Sequence, residues 1–88
     1  MNNPFRIKAI RRAVLEALRL AGDYALPETT LRSHVGDIER PAPADDEWKE
    51  AMGFLKQSGL IVTIENTLDA DLIQWAITER GRTILATL

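Results

Sequence analysis

The side chains in this sequence that are able to do chemistry fall into three groups. The first is a lone histidine, His34, flanked by Arg32 and Ser33 on one side. No serine or acid is spaced to complete a triad with it, and the absence of cysteine removes thiolate nucleophiles and thiolate metal sites. The second group is acidic: Asp45, Asp46, Glu47 and Glu50. To hold a cation these carboxylates would have to converge, but on a helix they spread around the solvent arc. As the first turn of that helix they have a simpler use, complementing the positive end of its dipole. Asp69 and Asp71 lack the glycine and the distal glutamate of a calcium loop, and no glycine-rich phosphate loop is present. The expectation is therefore no enzyme, no metal and no cofactor. The third group is basic or amide-bearing: Lys8, Arg11, Arg12 and Arg19 early in the chain, then Lys49, Lys56 and Gln57. These are the residue types that hold phosphates, read base edges or meet an acidic protein surface.

The elements that position these groups follow from hydrophobic spacing. Asn3-Pro4 is a capped helix start, and Ile7, Ile10, Val14, Leu18 and Ala21 then recur at intervals of three and four. A first helix over 4–21 is predicted, ended by Gly22 in the left-handed region. On the face opposite that apolar arc lie Lys8, Arg12, Leu15 and Arg19, with Arg11 at the border. Tyr24-Ala25-Leu26 reads as a short extended segment before Pro27, which can open a second helix with Leu31, Val35 and Ile38 as its stripe. Arg40-Pro41-Ala42-Pro43 is a stiff linker that no helix can cross. A third helix over about 44–58 buries Trp48, Ala51, Met52 and Leu55 and stops at Gly59.

Beyond Gly59 the period changes to two. Leu60 to Glu65 is rich in β-branched residues, Asn66 to Asp71 is a polar turn, and Leu72 to Ile77 returns with Ile73, Trp75 and Ile77 on one face. Thr78 caps a last helix carrying Gly81, Ile84, Leu85 and Leu88 on one arc. Phe54 lies off the main arc of the third helix, either packed under the hairpin or exposed as part of an interface.

The chain has 88 residues, length for one small domain spanning 1–88, and a net charge of −2. It contains no run of about 18 apolar residues that would cross a membrane and no charged-then-apolar leader at Met1. A cytoplasmic, bacterial-type protein is the simplest reading. The charge is unevenly placed: Arg6, Lys8, Arg11, Arg12 and Arg19 precede an acidic middle from Asp23 to Glu50. Such asymmetry speaks to partners rather than to fold.

Two stretches carry a family resemblance. Phe54-Leu55-Lys56-Gln57-Ser58-Gly59-Leu60-Ile61 and Trp75-Ala76-Ile77-Thr78-Glu79-Arg80-Gly81 resemble the segments leading out of the recognition helix and out of the wing in the winged helix-turn-helix superfamily of bacterial and phage regulators. The resemblance implies an α+β, mostly α, fold: a three-helix core, a β-hairpin wing and a short C-terminal helix. It also implies a DNA-binding regulatory or accessory protein. The alternative is a winged-helix interaction module that does not touch DNA, a homodimer through the first and last helices being one form of it. Charge separates the two. The third helix presents acids first, and the predicted wing tip carries Asp69 and Asp71 and no base. DNA contact is therefore expected to be weak and directed at the phosphate backbone, carried by Lys8, Arg12 and Arg19 with help from Lys49 and Lys56.

Overall fold

The computed structural model describes residues 3–65 and 73–88. The first helix, α1, spans Pro4–Leu20. Asn3 caps it by accepting the Phe5 amide on its Oδ1 at 2.9 Å, and Pro4 occupies the first turn, where a missing N–H costs nothing. Ile10, Ala13, Val14, Ala17 and Leu18 form its buried face. Gly22, at φ +68°, turns the chain out of the helix.

A two-residue strand, β1 (Leu26–Pro27), leads into α2 (Glu28–Ile38). The strand starts two residues later and ends one residue later than Tyr24-Ala25-Leu26 predicts, and Tyr24 is exposed. Leu31 and Val35 are fully buried on α2, whereas Ile38 is half exposed because the helix ends there and the chain turns away. Gly36 does not stop α2; the linker packs so close that a Cβ at Gly36 would press on the Ala42 side chain at 3.2 Å. The linker itself carries a cis Arg40–Pro41 peptide.

The third helix, α3 (Asp45–Gln57), buries Trp48, Ala51, Met52 and Leu55, as its periodicity requires. Gly59 follows at φ +74°. The hairpin strands β2 (Ile61–Glu65) and β3 (Ile73–Ile77) pair antiparallel in the register Ile61↔Ile77 through Glu65↔Ile73. β1 adds to the far side of β3, with Leu26 opposite Trp75, so the sheet order is β1-β3-β2 and β2 is an edge. Trp75 and Ile77 point into the core, and Ile73, on the same face, is half exposed because it lies beyond the reach of the helices. The predicted turn at 66–71 and its acids Asp69 and Asp71 lie outside the described residues.

The last helix, α4 (Glu79–Thr87), is held where the other elements meet. Thr78 is the clasp. Its hydroxyl donates to the Gly59 carbonyl at 2.7 Å and accepts the Gly81 amide at 3.0 Å, while its own amide donates to Leu60 O at 3.0 Å. Gly81 lies against Leu60 so closely that any side-chain atom there would overlap the Leu60 carbonyl. Arg82 reaches back to the Gly22 carbonyl at 3.1 Å. Leu15 of α1, only 2% exposed, belongs to the same core cluster as Leu60 and as Leu85 of α4. The sequence pattern puts Leu15 on the solvent face of α1. Five core-facing positions already fill one arc, and the extra apolar residue is accounted for by the cluster it shares with Leu60 and Leu85 rather than by solvent.

Candidate functional site

The element order and sheet order place α3 where a winged helix keeps its recognition helix: after a short helix–linker pair and directly before the hairpin. What α3 presents to solvent depends on its ion pairs. Its N-terminal turn carries Asp45, Asp46 and Glu47. Glu47 accepts Arg6 Nε at 3.2 Å and Arg6 Nη2 at 3.4 Å, and it also accepts the Ala44 amide at 3.0 Å. The same guanidinium donates to Glu39 at 3.5 Å and to the Pro41 carbonyl at 2.6 Å. One side chain from the start of α1 thus ties the end of α2, the linker and the start of α3. Arg6 holds the Glu47 carboxyl below its ordinary range, with the Ala44 amide adding to the effect; Glu47 in turn raises Arg6.

Asp45 is handled in the same way. Arg32 of α2 donates to its carboxylate at 2.7 Å and to the Pro43 carbonyl at 3.2 Å, and lies 5.7 Å from the Trp48 ring centre. The hydrogen bond and charge of Arg32 push the Asp45 carboxyl down. Glu50 is paired with Arg11, whose guanidinium also stacks on Phe54 at 3.6 Å from the ring centre. Phe54 is therefore half exposed beneath a cation, neither under the hairpin nor bare. Three of the acids on α3 are occupied by arginines from α1 and α2, and Asp46 has no ion-pair partner among the described residues.

The basic candidates divide between two faces. Lys49 and Lys56, two turns apart, share one flank of α3 and are exposed without an ion pair among the described residues; Gln57 is exposed roughly a quarter turn round the helix from them, toward Glu50. Glu47, Glu50 and Phe54 occupy the opposite flank, against α1. Lys8, Arg12 and Arg19 are exposed on α1 beyond that flank, and Arg12 also reaches Glu16 at 3.4 Å. The two sets do not merge into one strip, because the arginine–glutamate pairs stand between them. Arg11 belongs to neither set: with its side chain 23% exposed it is a brace between helices.

His34 is exposed beside a shallow apolar hollow with Leu20, Leu26 and Asp37. A larger hollow, about 660 Å³, lies along α1, with Leu15, Leu60, Ile84 and Leu88 among its lining and Lys8 and Arg12 at its rim. Sequence reasoning missed both this hollow and the role of Arg6. The hollow had one available signal, the apolar Leu15 inside a run of bases.

No protein-family model and no curated protein matches the sequence. Solved structures match by shape. A MarR-like transcription regulator from Bacillus cereus superposes with a TM-score of 0.69 at 17% identity, over 93% of this chain and 59% of its own. The PcaV transcriptional regulator of Streptomyces coelicolor, solved with its natural ligand, gives 0.65 at 22% identity, over 86% of this chain and 48% of its own. SSV1 F-93 gives 0.64 at 17% identity, over 88% and 79%. The fold is that of a winged helix-turn-helix domain. The chain spans about half the length of the MarR-family structures it matches. Among the described residues, no helix is long and apolar enough to cross a membrane.

Proposed function

We propose that this chain is a winged-helix DNA-binding domain of a regulatory or accessory protein, cytoplasmic and without catalytic chemistry, that holds double-stranded DNA by its phosphates. The observation that carries the reading is the pairing of Asp45, Glu47 and Glu50 with Arg32, Arg6 and Arg11. Counted by sequence, α3 repels a duplex. With those acids paired, the charges left on its outward face are Lys49 and Lys56 against the single acid Asp46, with Gln57 exposed in the last turn. Two lysines and one amide are enough to grip a backbone and too few to read a site. The regulators that share this fold support the reading by analogy of form.

Counterion release supplies the test. Two phosphate contacts give a slope of log affinity against log salt of about −2, hence roughly a tenfold loss between about 50 and 200 mM salt. A salt series on a mixed-sequence duplex should show that slope, and it should vanish when Lys49 and Lys56 are both changed to alanine. If Lys8, Arg11, Arg12 and Arg19 joined the contact, the slope would steepen to about −5. Absence of binding at the lowest salt would remove the DNA reading.

A protein-interaction role is the second reading, favoured by the surface that α1 and α4 make together. Ile84 and Leu88 are exposed there next to the buried Leu15. Self-association through α1 and α4 is one form of it, and light scattering across a concentration series decides whether a dimer exists.

A further inference from the structure

The face between α1 and α4 is built unlike the rest of the surface. Its floor is Leu15, buried, with Leu60 beside it; its wall is Ile84 and Leu88 of α4, 37% and 63% exposed. Exposed aliphatic side chains gathered around one hollow mark a contact surface more than scattered ones do. The hollow is lined by charges of both signs, Lys8, Arg11 and Arg12 with Glu16 and Glu39, but the two glutamates are held in ion pairs by Arg12 and Arg6, so the charges left unpaired around it among the described residues are basic. Lys8, Arg12 and Arg19 follow one another along the exposed ridge of α1, and Arg80 lies one turn before Ile84 on the same flank of α4. Lys8, Arg19 and Arg80 have no ion pair among the described residues, and Arg12 is shared only with Glu16 of its own helix. The nearby Glu39 and Glu50 are already taken up by Arg6 and Arg11.

We infer that this groove docks an acidic amphipathic helix of a partner protein: an apolar stripe on the floor, with glutamates or aspartates at its flanks meeting Lys8, Arg12 and Arg80. The mode is the familiar one in which a helix lays its apolar face in a groove through residues at three- and four-residue spacing. The rim charges choose among occupants. A second copy placed face to face would bring the same cations against one another, a like-charge arrangement that costs affinity. A neutral apolar helix would leave the cations unanswered. This inference rests on the protein-interaction reading and is independent of DNA contact, which uses the other flank of α3.

The test uses the whole chain and two synthetic helices with the same leucine stripe, one flanked by glutamates and one by glutamines, each carrying a fluorophore. Anisotropy titration should show the glutamate helix binding at least about tenfold tighter than the glutamine helix, with the difference shrinking as salt rises. Lys8→Glu combined with Arg80→Glu should reverse the preference. Leu88→Asp should remove binding of both. All these positions are exposed, so the variants keep the core, and an unchanged thermal midpoint checks this. Equal binding of the two helices would overturn the acidic partner while leaving an interaction surface in place. Binding of neither helix would overturn the inference. A dimer in light scattering that Leu88→Asp dissociates would also overturn it, assigning the face to self-association instead. A DNA slope of about −2 that survives in every one of these variants keeps the two proposals separate.

Discussion

At its first turn α3 is fastened by charge, and at its last turn by shape. The start is held by Arg6 and Arg32, which reach Glu47 and Asp45 from other helices and also hold the carbonyls of Pro41 and Pro43. The exit is held by Gly59, Thr78 and Gly81, which bring backbone against backbone. The two devices fail differently. An ion pair near the surface yields by degrees, screened by salt and cut by pH. A close-packed backbone contact has no such latitude, since a single added carbon needs room that does not exist.

Breaking the exit should therefore cost most. Trp75, opposite Leu26 and 7% exposed, closes the sheet onto the helices beside this junction. Trp75→Ala is expected to lower stability by about 3–5 kcal/mol in a denaturant titration. A loss below about 1 kcal/mol would mean that the sheet does not lean on the core as described. Next comes Gly81→Ala, which forces the Leu60 carbonyl aside. Overpacking of this kind costs about 1–3 kcal/mol, enough to outweigh the gain in helix propensity. Gly59→Ala sharpens the contrast, because open space surrounds the position and only the positive φ resists a side chain. It should cost about 1 kcal/mol, less than Gly81→Ala, and a reversed order in thermal melts would show that strain rather than space governs the exit.

The start of α3 should give the smallest change and the most conditional one. Arg6→Ala removes the partner that depresses Glu47. A depressed carboxyl contributes stability above its unfolded value, ordinarily 4.5, and loses it as pH falls through the lower folded value. Wild type should thus melt above the variant at neutral pH and low salt, and the two curves should approach each other in acid and in high salt. A gap that stays constant across pH would mean that Arg6 acts by packing alone.

The same contrast explains what the sequence discloses. The exit is written in local chemistry: Gly59 after an apolar helix, Thr78 before Gly81, and alternation through Trp75 and Ile77 each announce themselves within a few residues. Helix limits agree with expectation to within a residue or two for that reason. The start of α3 is written in pairs far apart along the chain. Nothing near Arg6 says that it meets Glu47, and nothing near Glu50 says that it meets Arg11. A count of acids on α3 consequently overstates the repulsion that DNA would feel. Leu15 shows the same limit from the apolar side. Its periodicity places it among bases, and it is buried by residues far along the chain, in a cluster with Leu55, Leu60 and Leu85.

The order β1-β3-β2 has a consequence for behaviour in crowded solution. A sheet with two open edges can add strands from both sides and grow without end. Here one edge is closed off by a strand only two residues long, ending in Pro27, which has no N–H to offer an incoming chain. The remaining edge, β2, carries Val62 and Ile64 half exposed and could pair with another strand. Two molecules that met there would use up the open edge of each. Assembly by strand addition would halt at a pair instead of growing into a fibre.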